Sequence, residues 1–224
     1  MRYPGGKGTC FQQMINLMPP HKVYIETHAG SAAVMRHKRP AKVNIALEID
    51  TEQYLKLFDV LTQGPGALLQ IWNVDALDYL RSFTPYEDTL IYADPPYLPS
   101  TRKTGELYKH ELTEEDHVNL LKKLRSMWPC MVMISGYESE LYNDMLNDWN
   151  YYSFQTMTRA GMATECIWFN YRFPSVLHDY SYLGSTFRER ERISRQQNRW
   201  IKRLHELPPV EREAMLNRIK EEFL

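Results

Sequence analysis

Along the first 170 or so residues, short apolar runs alternate with longer amphipathic stretches, and this alternation limits the fold more than any other feature. Val23 to Glu26, Lys42 to Ile49, Thr89 to Ala93 and Cys130 to Ile134 read as strands. Leu68 to Val74 reads as a further strand, with its Leu and Gln content leaving helix open. Between them Ser31 to Lys38, Gln53 to Thr62, Asp78 to Ser82, Thr113 to Met127 and Ser139 to Asn147 read as helices. Pro40 stops the first of these, and Gly64-Pro65-Gly66 ends the second. Thr113 caps the fourth, with Asp116 placed for a capping box. Tyr151 to Thr156 and Cys166 to Tyr171 form a closing antiparallel hairpin. The pattern predicts an α/β chain with a doubly wound, mostly parallel sheet covered on both faces. Such sheets bind ligands beyond the carboxyl ends of their strands, so the residues after each strand are the place to look for chemistry.

After Pro174 the strand signal fades and charges multiply. Residues 1–174 are expected to form the catalytic domain. Residues 175–224 are expected to form a small helical C-terminal appendage, broken at Pro208-Pro209. The net charge is −1, so any nucleic-acid contact has to come from a local patch. Cys10, Cys130 and Cys166 are too few and too scattered for a disulfide framework or a zinc knuckle. Met1 to Gly8 has no apolar stretch like a signal peptide, and no run approaches the ~20 apolar residues of a membrane span. A reduced cytoplasmic setting is expected, without metal or membrane.

The sharpest local signal is Asp94-Pro95-Pro96-Tyr97, directly after a strand. Two prolines fix two φ angles and remove two N–H donors, which leaves an extended backbone with free carbonyls. Asp94 and the carbonyl of Pro95 can each accept a proton from an amino group on a planar ring, and Tyr97 can stack on that ring. Two acceptors also localise the nitrogen lone pair for attack. Four more features fall at strand ends or in glycine turns. Arg2-Tyr3-Pro4-Gly5-Gly6-Lys7-Gly8 surrounds a lysine with glycines that let backbone approach a ligand. Glu26-Thr27-His28-Ala29-Gly30-Ser31 turns from a strand into a helix whose N-terminus favours an anionic group. Glu48-Ile49-Asp50 ends the second strand with an acid suited to ribose hydroxyls, and Asp75 follows the third.

In this order, Tyr3 to Lys7, Glu26 to Ser31, Glu48 to Asp50 and Asp94 to Tyr97 resemble the Dam-like (D12 class) DNA adenine-N6 methyltransferases. Ile134-Ser135-Gly136-Tyr137, Leu141-Tyr142 and Thr164-Glu165-Cys166-Ile167-Trp168 resemble stretches of the shorter, phage-type members. The resemblance runs over residues 2–171. It implies a class I S-adenosylmethionine-dependent methyltransferase fold and transfer of a methyl group to N6 of an adenine flipped out of double-stranded DNA. Tyr3 and Lys7 would help hold S-adenosylmethionine, with Glu26, His28 and Gly30 around its methionine part. Glu48 would take the ribose and Asp75 the cofactor's adenine amino group. Asp94, Pro95, Pro96 and Tyr97 would hold the target base. The sequence departs from the family at His28, where phenylalanine is usual, and at Ala32, where a second glycine often stands and alanine crowds the turn. A short enzyme without a restriction domain of its own points to a phage or prophage orphan. The competing readings are an RNA adenine-N6 methyltransferase and an inactive nucleic-acid-binding subunit.

Longer members carry a recognition domain between the ribose acid and the catalytic tetrapeptide, but here only 43 residues separate Asp50 from Asp94. Two other segments are candidates for nucleic-acid contact. Leu98 to His110 offers Arg102, Lys103, Tyr108, Lys109 and His110 beside the tetrapeptide, a mixture suited to phosphates and unstacked bases. Arg188 to Arg203, as a helix, places Arg188, Arg192, Arg195, Arg199 and Lys202 on one face. Ile193, Trp200 and Leu204 are expected to dock on the body or a partner. Asp116-His117 reads as a helix start, and Trp128, Trp149 and Trp168 read as core.

Overall fold

The computed structural model describes residues 6–8, 10–61, 66–102, 109–158 and 161–223. Two compact units emerge, Met1–Tyr180 and Ser181–Leu224. The first contains seven strands: β1 (Val23–Glu26), β2 (Val43–Glu48), β3 (Leu68–Asn73), β4 (Thr89–Ala93), β5 (Met131–Gly136), β6 (Asn150–Thr158) and β7 (Gly161–Phe169). Its helices are α1 (Phe11–Ile15), α2 (Ala33–His37), α3 (Thr51–Val60), α4 (Ala76–Ser82), α5 (Glu114–Arg125) and α6 (Glu140–Met145), and Pro99–Thr101 forms a single 3₁₀ turn.

The strands form one sheet in the order β3-β2-β1-β4-β5-β7-β6. The first five are parallel, and β7 enters antiparallel between β5 and β6. The doubly wound, mostly parallel sheet with its reversed C-terminal hairpin is present as expected. Leu68–Asn73 is a strand because β2 pairs with it residue by residue, from Val43↔Leu68 to Glu48↔Asn73. Long-range pairing outweighs weak local propensity here.

Alternation along the strands builds two packed faces. Val23, Ile25, Ile45, Leu47, Ile91, Ala93, Val132 and Ile134 join Leu80 of α4, Leu120, Leu121 and Leu124 of α5 and Tyr142 of α6 in one continuous core. The intervening residues, Tyr24, Glu26, Ala46 and Tyr92, therefore point to the other face. Thr113 and Asp116 make the expected capping box, which fixes the start of α5. Trp168 is core and Trp149 packs against it, but Trp128 is 79% exposed, correcting its assignment to the core. It lies in the turn after α5, beyond the reach of either face. The three cysteines are buried and free.

Residues up to Tyr180 pack with the first unit. The His178 amide donates to the Met18 carbonyl at 2.9 Å, and Asp179 accepts the Arg39 amide at 2.7 Å. The second unit consists of α7 (Phe187–Glu206) and α8 (Pro209–Phe223), neither of which has a buried residue. Trp200 is 58% exposed.

Candidate active site

The order of the strands reverses between β1 and β4, the position at which a doubly wound sheet leaves a crevice at its carboxyl edge. Several expected site residues meet there. A cavity of about 260 Å³ is lined by Lys7, Glu26, His28, Gly30, Glu48, Asp75, Asp94 and Pro96, with Asp50, Lys109, His110 and Leu112 among the others. Pro95 and Tyr97 are buried and are not among the lining residues. Tyr3, Lys103 and Tyr108 lie outside the described residues.

Each acid is fixed by the strand or helix end that carries it. Glu48 closes β2 and accepts the amides of Gly30 at 2.8 Å and Asp50 at 2.9 Å, one on each oxygen. Each oxygen keeps a second lone pair for a hydroxyl. Burial pushes the Glu48 carboxyl above its usual range, against those two amide bonds. Gly30 has φ of +50°, and its carbonyl accepts from Gln53, so the turn is held from both sides. Asp75 caps α4, accepting the amides of Leu77 and Asp78 on Oδ1 at 2.8 and 3.1 Å. Its Oδ2 is left for a donor in the cavity.

Glu26 closes β1 and is buried, with Oε2 accepting the Tyr24 hydroxyl at 2.9 Å and the Met35 amide at 3.0 Å. Burial raises it to about 8. His28 bonds Thr27 through Nδ1 at 2.8 Å, and burial lowers it to about 3, so the ring is neutral and suited to apolar contact. Ala32 sits in the left-handed region, with φ of +48° and ψ of +39°, and marks where a side chain strains the turn into α2.

At the Asp94–Tyr97 segment, the Lys7 ammonium lies 2.5 Å from Oδ1 of Asp94 and 2.5 Å from the Tyr97 hydroxyl. Its backbone is anchored by the start of α1, since the Lys7 carbonyl accepts the amides of Cys10 and Phe11. Ser135, at the end of β5, donates to the same Oδ1 at 2.8 Å and is itself bonded to the Tyr92 hydroxyl at 3.0 Å. Both donors to Asp94 thus converge on Oδ1. The Tyr97 ring meets Tyr137 edge-on at 4.6 Å, and its hydroxyl donates to Glu165 of β7. Burial opposes the charge on Lys7, yet Asp94, Glu165 and the tyrosines outweigh it and hold the ammonium well above its ordinary range.

The sequence reading assigned no role to Ser135 or Glu165, though each is the single hydroxyl or acid in its strand. Arg102 requires a correction. Its side chain is 5% exposed and makes a two-pronged pair with Glu111, at 2.9 and 2.6 Å, so it is not presented to phosphates. The pair joins the two flanks of residues 103–108. In the second unit, Arg192, Arg195 and Arg199 are exposed on α7, and Arg195 pairs with Glu191 at 2.8 Å. Among the described residues, no group of three or more His, Cys, Asp or Glu could hold a metal ion, and no helix is long and apolar enough to cross a membrane.

The chemistry of this cavity fits S-adenosylmethionine. Glu48 has lone pairs for a diol, Asp75 an acceptor for an amino group, and the Gly30 turn brings backbone against the ligand. No curated protein sequence matches the chain. Among solved structures, the precorrin 8W decarboxylase of Methanobacterium thermoautotrophicum is similar at 9% identity and a TM-score of 0.51, covering 76% of this chain and 94% of that one. A conserved hypothetical protein from Streptococcus pyogenes is similar at 13% identity and a TM-score of 0.50, over 74% and 96%. TrmK of M. capricolum, solved with S-adenosylhomocysteine, has 10% identity and a TM-score of 0.48, over 96% of both chains. The chain is an S-adenosylmethionine-dependent methyltransferase: residues 67–160, which include Asp94 to Tyr97, match the family of D12 class N6 adenine-specific DNA methyltransferases, on a sheet of class I methyltransferase topology.

Proposed function

We propose that the protein methylates N6 of an adenine extruded from double-stranded DNA. The observation that carries this reading is Asp94, which opens onto the cofactor cavity with both of its recorded donors on Oδ1. Oδ2 is then the acceptor for one proton of an exocyclic amino group, and the Pro95 carbonyl is the acceptor for the other. Together they draw the nitrogen lone pair out of conjugation with the ring. When bound, S-adenosylmethionine supplies an electrophilic sulfonium methyl, so the protein's task is alignment and electrostatics. Glu48, Asp75 and the Gly30 turn would hold it, and Lys7 and Asp94 both line that cavity. Extruding the base costs a few kcal/mol of unstacking. Phosphate contacts from Arg192, Arg195 and Arg199 on α7 would supply part of the binding energy that offsets it.

Replacing Asp94 with Ala should abolish methyl transfer to an adenine-containing duplex while cofactor binding, measured by titration, persists. Full activity of Asp94→Ala would refute the assignment.

A further inference from the structure

One buried acid beside the site has no part in holding cofactor or base. Glu165 lies in β7, one residue before that strand begins to pair with β5 at Gly136↔Cys166. Its oxygen Oε1 accepts the Tyr97 hydroxyl and lies 3.2 Å from the Lys7 ammonium. A carboxylate buried this deeply is expensive without partners, and it has found the two groups that reach Asp94 and the tetrapeptide. Among the described residues the ammonium therefore meets three oxygens: Oδ1 of Asp94, the Tyr97 hydroxyl and Oε1 of Glu165.

A lysine ammonium is a point charge on a flexible four-carbon stem, so its acceptors decide where it rests. With Asp94 as its sole strong partner it could bridge both carboxylate oxygens and occupy the one needed for substrate. Glu165 and Tyr97 hold it from the other side, on Oδ1, where Ser135 also donates. We infer that Glu165 is a positioning residue: it fixes the Lys7 ammonium and the Tyr97 hydroxyl so that Asp94 offers one oxygen to the target amino group. The inference rests on the role proposed for Asp94. It has an electrostatic side as well. Among the described residues, two acidic side chains, Asp94 and Glu165, share the one Lys7 ammonium next to the position where N6 becomes cationic as it gains a methyl group. Charge placed in advance where charge develops lowers the barrier more than it tightens binding.

The test compares wild type, Glu165→Gln, Tyr97→Phe and the double variant in single-turnover methyl transfer to an adenine-containing duplex at saturating cofactor. Cofactor affinity is measured by titration and folding by thermal melting. Glu165→Gln should slow transfer by about tenfold or more, while the dissociation constant for S-adenosylmethionine stays within about threefold of wild type. Tyr97→Phe keeps the ring and should slow transfer several-fold. The double variant should lose little beyond Glu165→Gln, because both groups act through Lys7. Wild-type transfer by Glu165→Gln, a loss explained wholly by cofactor affinity, or a double variant losing the product of the two single effects overturns the inference. If Glu165→Gln does not fold, Tyr97→Phe decides alone, and an unchanged rate there overturns it. A wild-type protein inactive on adenine would sink the proposed function and this inference with it, whereas an active wild type beside an undiminished Glu165→Gln sinks only the inference.

Discussion

Replacing Glu26 with Gln tests how the cavity wall is wired. Burial moves this carboxyl from an ordinary 4.5 to about 8, so the folded protein favours its neutral form. Both of its hydrogen bonds, from the Tyr24 hydroxyl and the Met35 amide, fall on the single oxygen Oε2. A glutamine carbonyl can accept both, so the variant keeps the bonds and never carries the charge. A carboxyl whose folded value lies above its unfolded value contributes stability that is complete below about pH 4.5 and is lost as pH rises toward 8. At about 1.4 kcal/mol per pH unit, the loss accumulates to on the order of 4 kcal/mol by pH 8.5. Lys38, which burial lowers to about 7, is neutral at pH 8.5 with or without Glu26 and does not offset the difference. Denaturant unfolding of the ligand-free protein at pH 5 and pH 8.5 reads the effect directly. Glu26→Gln should gain several kcal/mol on wild type between the two conditions. A gap of the same size at both pH values would refute the reasoning.

Three further outcomes follow from particular contacts. Arg102→Ala should lower stability in unfolding experiments by removing the two-pronged pair to Glu111 from a mostly buried position, and should leave the salt dependence of DNA binding unchanged. A flatter salt slope would return Arg102 to the phosphate contacts. Ala32→Gly should be neutral within about 1 kcal/mol, since release of about 1–2 kcal/mol of left-handed strain is offset by a lost buried methyl and a more flexible unfolded chain. Ala32→Val should cost more than about 2 kcal/mol, because a β-branched side chain in that conformation is both strained and overpacked; melting curves that rank the two the other way would contradict the strain argument. Changing Arg192, Arg195 and Arg199 together to Gln should weaken DNA binding and reduce the salt slope by up to about 2.7, at roughly 0.9 per phosphate contact. An unchanged slope would remove α7 from the interface.

What was legible in the sequence follows from where the information lies along the chain. Strand ends were readable because β1, β2 and β4 each stop at a distinctive residue or pair: Glu26, Glu48 and Asp94-Pro95. Parallel strands put such ends on one edge, so residues that line the cavity could be grouped from the sequence. Glu165 and Ser135 were not readable as site residues, because their roles depend on partners 68 and 41 positions away, Tyr97 and Asp94. Each appears locally as a polar residue in an apolar strand. Arg102 was misread for a related reason. A loop arginine is available to phosphate only if no acid claims it, and Glu111, nine positions on, does. Trp128 was placed in the core on hydrophobicity alone, whereas its turn leaves it in solvent. At Ala32, where crowding of the turn was expected, the structure shows a positive φ.

The most direct measurement of the central claim is nucleoside analysis after incubation with labelled S-adenosylmethionine and matched DNA and RNA oligonucleotides. The arrangement of Asp94, Pro95 and the neighbouring cavity predicts labelled N6-methyladenine in duplex DNA, absent with Asp94→Ala. Label on another base or only on RNA, or undiminished labelling with Asp94→Ala, would contradict it.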